Sequence, residues 1–178
     1  MPEGADSSTE RTSYVFDACV LIDLVGADPN LLRIVATHLG AVVIPTPIVG
    51  EVDGLDEEGC ATLGLTLFEP TFAQITEAAN QGGRLSFHDW VCLITARDAG
   101  WTCVTNDGAL RRVCQQQGVV TVRGLRPILT LVERGHLHHS KAIVVIKAIR
   151  TSNCYVTAEL VSAFVVELRI AARVSRQR

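Results

Sequence analysis

The sequence predicts an α/β fold: a three-layer α/β/α sandwich on a central parallel sheet of about five strands, followed by a C-terminal helical extension. Three observations lead there. Short apolar runs alternate with amphipathic helical segments from Tyr14 to Arg134, with short turns between them. Strand and helix follow each other in a regular period, which means a parallel sheet covered on both faces. Acidic residues recur just beyond the runs, where an open parallel sheet presents its chemistry.

The first run, Tyr14-Val15-Phe16, reaches Asp17 and passes straight into a helical segment that continues to Val25. Asp28-Pro29-Asn30 turns the chain into a second helix, striped with Leu31, Leu32, Ile34, Val35 and Leu39 and closed by Gly40. Ala41–Pro45 is the second strand. Pro47 suits the first turn of another helix, which puts Glu51 about one turn in. A polar, acidic stretch, Asp56–Glu58, precedes a third strand within Leu63–Phe68, ended by Pro70. Thr71–Asn80 reads as a helix, and Ser86–Asp89 opens the next, which Gly100 ends. Trp101–Thr105 is the fourth strand, Ala109–Gln117 a helix, Val119–Val122 the fifth strand and Leu125–Arg134 a helix.

Beyond Gly135 the alternation stops. Ala142–Arg150 and Thr157–Arg173 are helical segments joined at Thr151-Ser152-Asn153. The organisation expected is a flexible tail over residues 1–12, a domain over 13–135 and a helical extension over 136–178 that packs on the domain or on a second subunit. Both extension helices carry wide apolar faces that need cover. A doubly wound sheet is already covered by its own helices, so a homodimer interface, or else a docked partner peptide, is the expectation. Arg169, Arg173, Arg176 and Arg178 would then form a patch facing a polyanion.

Composition narrows the class. With 48% hydrophobic residues in 178, the chain can bury a sizeable core. No uncharged apolar stretch reaches the length of a membrane span, and residues 1–12 lack the apolar core of a signal peptide, so a soluble cytoplasmic protein is expected. Six cysteines without a Cys-x-x-Cys pair read as free thiols. The net charge of −3 hides an asymmetry: residues 13–138 carry 8 basic and 14 acidic side chains, residues 139–178 carry 7 and 2. An acidic body that needs a cation, with a basic end for a polyanion, fits that division as well as a solvated basic tail does.

Four carboxylates fall at comparable places: Asp17 after the first strand, Glu51 after the second, Asp89 opening the helix before the fourth, and Asp107 after the fourth. Asp17, nearly surrounded by apolar residues, is costly to bury unless it is paired, hydrogen-bonded or bound to a metal. Two carboxylates about 4 Å apart repel by roughly 4 kcal/mol at an effective dielectric near 20. A cluster of them calls for protons or a divalent cation, and hard oxygen ligands favour Mg2+ or Mn2+ over Zn2+. Such an ion activates water and stabilises charge on a phosphodiester. Each position also has a plainer reading. Ser86-x-x-Asp89 is a helix cap, Asp107 in Asn-Asp-Gly a turn and cap residue, and Glu51 a first-turn acid favoured by the helix dipole. Asp53 lies about 200° of helical rotation from Glu51, so the two cannot share a site; Asp23 reads as solvated surface. His88 reads as a surface or capping residue, and His136, His138 and His139 as an exposed turn. Trp90 and Trp101 read as core.

The segments Val15-Phe-Asp-Ala-Cys-Val-Leu-Ile22, Pro45-Thr-Pro-Ile-Val-Gly-Glu-Val52, Leu85-Ser-Phe-His-Asp89 and Val104-Thr-Asn-Asp-Gly-Ala-Leu-Arg111 together resemble the PIN-domain family. These are metal-dependent ribonucleases that include the VapC toxins of toxin–antitoxin modules. The resemblance covers roughly Tyr14 to Arg134. It implies that Asp17, Glu51, Asp89 and Asp107 are the catalytic, metal-holding carboxylates, with Thr105 and Asn106 in support. It further implies single-stranded RNA as substrate and a protein antitoxin as partner. Arg111 and Arg112, about one helical turn beyond Asp107, are candidates to grip substrate phosphates. One departure stands out: many members place Ser or Thr, then Asn, after the first Asp, and here stand Ala18 and Cys19.

That departure supports the alternative reading, a catalytically weak PIN-like module that binds RNA or protein. Two other carboxylate-bearing folds fit less well. A haloacid-dehalogenase-type phosphatase needs a second Asp two residues after the first, where Cys19 stands. A response-regulator receiver needs an Asp after its third strand, where Phe68-Glu69-Pro70 stands.

Overall fold

The computed structural model describes residues 12–153 and 155–175. The expected tail over residues 1–11, the Cys154 thiol, and Arg176 and Arg178 of the basic patch lie outside the described residues. Five strands form one all-parallel sheet in the order β3-β2-β1-β4-β5. They are β1 (Ser13–Phe16), β2 (Ala41–Pro45), β3 (Thr66–Phe68), β4 (Thr102–Val104) and β5 (Thr121–Val122). Val15 pairs with Val43 on one side and Cys103 on the other, and Phe16 pairs with Val104. The central strand β1 therefore ends level with β4, and Asp17 is the next residue. Val15, Phe16, Val42, Ile44, Cys103 and Val104 are buried, as strands with helices on both faces require.

Helices α1 (Ala18–Ala27) and α2 (Asn30–His38) follow β1. Helix α3 (Thr46–Val49) is shorter than the sequence suggests: it stops at Gly50, and Glu51 and Val52 continue in tight turns toward Ile48 and Val49. The Asp53-Gly54 turn, with Gly54 at φ +80°, prevents its extension. Helix α4 (Glu57–Thr62) occupies the stretch read only as polar and acidic. The Asp56 side chain accepts from Gly59 N, and Glu57 and Glu58 sit in the first turn, where the helix dipole favours them. Helices α5 (Phe72–Ala79) and α6 (Phe87–Ala99) both start with capping boxes, and α6 stops at Gly100 in the left-handed region, φ +67°. Helices α7 (Gly108–Gln116) and α8 (Arg126–Glu133) flank β5.

The last two helices, α9 (His139–Ser152) and α10 (Ala158–Ser175), are longer than their apolar stripes indicate. Helix α9 packs on α1, and α10 packs on α8 and α9. Ala142, Val145, Ile146 and Ile149 of α9 and Val161, Phe164, Leu168 and Ala171 of α10 are buried in this way. The domain thus does have a face to offer them, and the premise that its own helices leave none does not hold. What stays exposed on α10 is a second stripe, Val166, Ile170 and Val174. The junction of the two helices is fixed by Asn153, whose Nδ2 donates to both carboxylate oxygens of Asp23 at 3.0 and 3.1 Å. Asp23 is therefore buried, not solvated, and burial raises its pKa while the Asn153 bond opposes the rise.

The described cysteines, Cys19, Cys60, Cys92, Cys103 and Cys114, are free thiols. Trp90 is buried, and Trp101 meets Phe68 edge-on with centroids 5.5 Å apart. No helix among the described residues is long and apolar enough to cross a membrane.

Candidate active site

Asp17 follows β1 in extended conformation and begins α1, yet its side chain makes no capping bond. Its carboxylate is turned to other uses. Oδ2 accepts from Thr105 Oγ1 at 2.7 Å and from Cys19 Sγ at 2.9 Å. The Asp17 backbone N–H donates to Val104 O at 3.0 Å, so the ends of β1 and β4 are stitched together at this point. Only 5% of Asp17 is exposed. Burial is the chief cause raising its pKa, and the negative charge of Asp89 raises it further. The bonds from Cys19 and Thr105 and the Ala18 backbone pull the other way. The Cys19 thiol is pushed up to about 12, by burial first and then by the Asp17 charge, so it stays protonated and remains a donor.

Asp107 is tied to the same hydroxyl. Its backbone N–H donates to Thr105 Oγ1 at 3.0 Å, and its Oδ1 caps α7 by accepting from Leu110 N at 2.7 Å. Asp89 caps α6: Oδ2 accepts from Ser86 N at 2.7 Å, and Ser86 Oγ accepts from Asp89 N at 3.1 Å. The plain capping roles of Asp89 and Asp107 are thus both realised. Each occupies one oxygen, and a carboxylate has a second with its own lone pairs.

The fold and these carboxylates at its strand ends are what known proteins can be set against. A family model described as DUF3368: PIN domain matches residues 13–169. The chain belongs to this PIN-domain family. The match runs through α9 and ends inside α10, so most of the C-terminal hairpin lies within the family's span. In the solved structures, a PilT N-terminus domain protein, SSO1118, from the hyperthermophilic archaeon Sulfolobus solfataricus P2 is similar with a TM-score of 0.52 at 16% identity. The similarity covers 72% of this chain and 100% of that one, and at such identity it speaks for the fold alone. A comparison with curated proteins finds no match. PIN domains are generally nucleases that use divalent metals, and membership points this chain to nuclease-type function.

Within this PIN domain the expected residues are not all treated alike. The charge of Asp89 acts on Asp17, and Asp17 and Asp107 share Thr105. Glu51 is exposed in the turn after α3 and reaches His88 Nδ1, 2.7 Å from its Oε1. No group of three or more His, Cys, Asp or Glu side chains among the described residues is arranged to hold a metal ion. Asn106 Oδ1 accepts from Gly124 N at 3.0 Å. Arg111 is half-buried, with its Nε buried and lacking a hydrogen-bond partner, whereas Arg112 is exposed.

Two side chains make contacts that the sequence does not announce. Cys19 reads from sequence as a free thiol and a departure from the family pattern, and in the structure that thiol donates to the buried Asp17 two residues before it. His88 lies one residue before Asp89 in the first turn of α6, and that adjacency was the available signal for its pairing with Glu51.

Proposed function

We propose that this PIN domain is an endoribonuclease that cleaves single-stranded RNA with Mg2+ or Mn2+. The observation that carries the reading is Asp17: a buried carboxylate at the carboxyl end of the central strand, free of any capping duty and oriented by two donors. Such a group is maintained at a cost, and a bound cation is the natural return for it. Asp17, Asp89 and Asp107 would hold the ion, with Glu51 completing the acidic face. Carboxylate oxygens are the donor chemistry that Mg2+ and Mn2+ prefer. The bound ion supplies charge to stabilise the phosphodiester and to activate water. Thr105 keeps Asp17 and Asp107 in register, Cys19 fixes the Asp17 oxygen from the other side, and His88 restrains Glu51. The proposal extends to a cytoplasmic toxin with a protein antitoxin; that part rests on family membership alone.

Among the described residues no three metal ligands are already grouped, and this favours a second reading, a module that binds RNA without cutting it. Metal titration separates the two. The purified chain is stripped with EDTA, and cleavage of a labelled single-stranded RNA is followed as Mg2+ or Mn2+ is restored. Cleavage that returns with the ion and is missing from Asp17→Asn supports the nuclease. RNA binding indifferent to metal, with no cleavage at any concentration, sinks it.

A further inference from the structure

A cleft of about 690 Å³ opens between α8, α10 and the turn joining α9 to α10. That volume lies in the range of pockets that hold small-molecule-sized groups. None of Asp17, Glu51, Asp89 or Asp107 lines it, but Asn106 and Arg111 do. Asn106 stands between Thr105 and Asp107, so the cleft begins where the carboxylate face ends. Gly124 lets the wall close there: a Cβ on it would come within 2.9 Å of Asn106 Nδ2 and 2.8 Å of a Val20 methyl.

The lining has two chemistries. Leu125, Leu160 and Phe164 supply apolar surface, and Tyr155 joins them while remaining 88% exposed. Three arginines, Arg111, Arg123 and Arg126, line the same space. Arg126 is paired with Glu133 at 3.3 Å, whereas among the described residues Arg111 and Arg123 have no carboxylate within ion-pair distance. The Arg111 Nε is buried without an acceptor, so among the described residues no protein group competes for this guanidinium. Two carboxylates also reach the cleft. Asp23 is engaged by Asn153, which leaves Glu167 as the anion facing these cations.

Aromatic and apolar surface beside unpaired arginines is the combination that receives single-stranded nucleic acid: bases stack on the rings and the backbone meets the cations. We propose that this cleft seats a nucleotide of the RNA strand flanking the cleaved bond. Its base lies against Tyr155 and Leu160, the exposed apolar side chains of the lining, and its phosphate meets Arg111 and Arg123. The inference rests on the nuclease reading for its position in the strand, and on the cleft alone for its chemistry.

Tyr155 and Arg123 are exposed, so both can be changed without disturbing the core. The full-length chain, Tyr155→Ala and Arg123→Gln are titrated with a short fluorescein-labelled single-stranded RNA in EDTA, at several salt concentrations. Tyr155→Ala is expected to weaken binding about tenfold. Arg123→Gln should weaken it about fivefold and make the slope of log K against log salt shallower by roughly 0.7. Hydrolysis of bis-p-nitrophenyl phosphate, which has no flanking nucleotide, is followed in parallel with Mn2+ and should match wild type in both variants. Wild-type affinity in both variants overturns the cleft, while metal-dependent cleavage by the same preparations keeps the nuclease. Affinity that drops as expected, with no cleavage under any metal, removes the nuclease and keeps the cleft as an RNA seat. A wild-type chain that binds no RNA in EDTA overturns the cleft, and one that also cleaves none with Mn2+ overturns both.

Discussion

Thr105 Oγ1 donates to Asp17 Oδ2 at 2.7 Å and at the same time accepts from the backbone N–H of Asp107 at 3.0 Å. One buried hydroxyl therefore couples two carboxylate-bearing positions that lie 90 residues apart in the chain. Because the side chain is fully buried, no solvent can replace either bond. The spacing of β1 and β4 is set by their ladder; the direction in which Asp17 points is set by this hydroxyl.

Replacing that hydroxyl by a methyl tests the coupling. Thr105→Val keeps shape and strand propensity but leaves the Asp107 N–H without its acceptor and Asp17 without its shortest donor. Losing a partner of a buried polar group costs about 1–3 kcal/mol. Urea unfolding should register that loss, and RNA cleavage should fall at least about tenfold. Thr105→Ser, which restores the oxygen, should recover most of both. Equal activity in the Val and Ser variants would dissociate Thr105 from the site.

Asp17→Asn should raise stability while abolishing cleavage. A carboxyl whose folded pKa is raised favours the protonated fold. Stability is therefore greatest below the unfolded value near 3.8 and declines as pH climbs through the raised folded value. At neutral pH, without metal, wild type carries this penalty and the neutral amide does not. The melting temperature of Asp17→Asn in EDTA should exceed that of wild type by a few degrees, since about 1 kcal/mol moves it by roughly 2–4 °C in a chain of this size. The gap should close as pH is lowered toward 4. A variant that melts below wild type at pH 7 would mean that the bonds to Thr105 and Cys19 outweigh the burial of charge.

The sheet is legible because short, mostly apolar runs alternate with helical segments and are ended by turn residues, a period that only a parallel sheet with covering helices satisfies. Strand-end acids were legible for the same reason: once β1 and β4 are located, Asp17 and Asp107 follow by position. Helix α4 was not, because it has little apolar periodicity and is held by a cap and first-turn charges. Asp23 was misread because its partner, Asn153, lies 130 residues away, and no local pattern carries that pairing. The cover for α9 and α10 was missed because the apolar stripe of α8 can be counted from sequence, but not the fact that α10 packs on it.

The Cys19 thiol should be sluggish toward alkylation in the native protein. With its pKa pushed up to about 12, little thiolate exists at pH 8, and the thiolate is the nucleophile. Peptide mapping after brief iodoacetamide treatment should find Cys19 largely unmodified in the native chain and fully modified in guanidinium. Cys19→Ala removes a donor to Asp17 and should lower cleavage, whereas Cys19→Ser retains a donor and should preserve more of it. Rapid native labelling of Cys19 would contradict a protonated thiol bonded to Asp17.

The final prediction concerns α10. Val161, Phe164, Leu168 and Ala171 pack its inner face against α8 and α9, whose own buried residues include Leu129, Val132, Val145 and Ile149. Each fully buried Val, Leu or Phe contributes roughly 1.5–3 kcal/mol. A domain is stable by only about 5–15 kcal/mol in total. Ending the chain at Asn153 therefore removes more burial than the remainder can lose, and it uncovers the apolar side of α8. The truncated product should aggregate or lose its near-ultraviolet circular dichroism, even though the whole sheet and its strand-end acids remain. Ile170→Ser tests the opposite face of the same helix. Ile170 is 57% exposed, and a surface change of this kind alters stability by no more than about 0.5 kcal/mol. Light scattering on that variant reads whether the outer stripe of Val166, Ile170 and Val174 joins two copies: a drop in mass with unchanged melting marks a dimer face. A truncated chain that stays soluble, folded and of proportionate mass would show that α10 is an appendage and not part of the core.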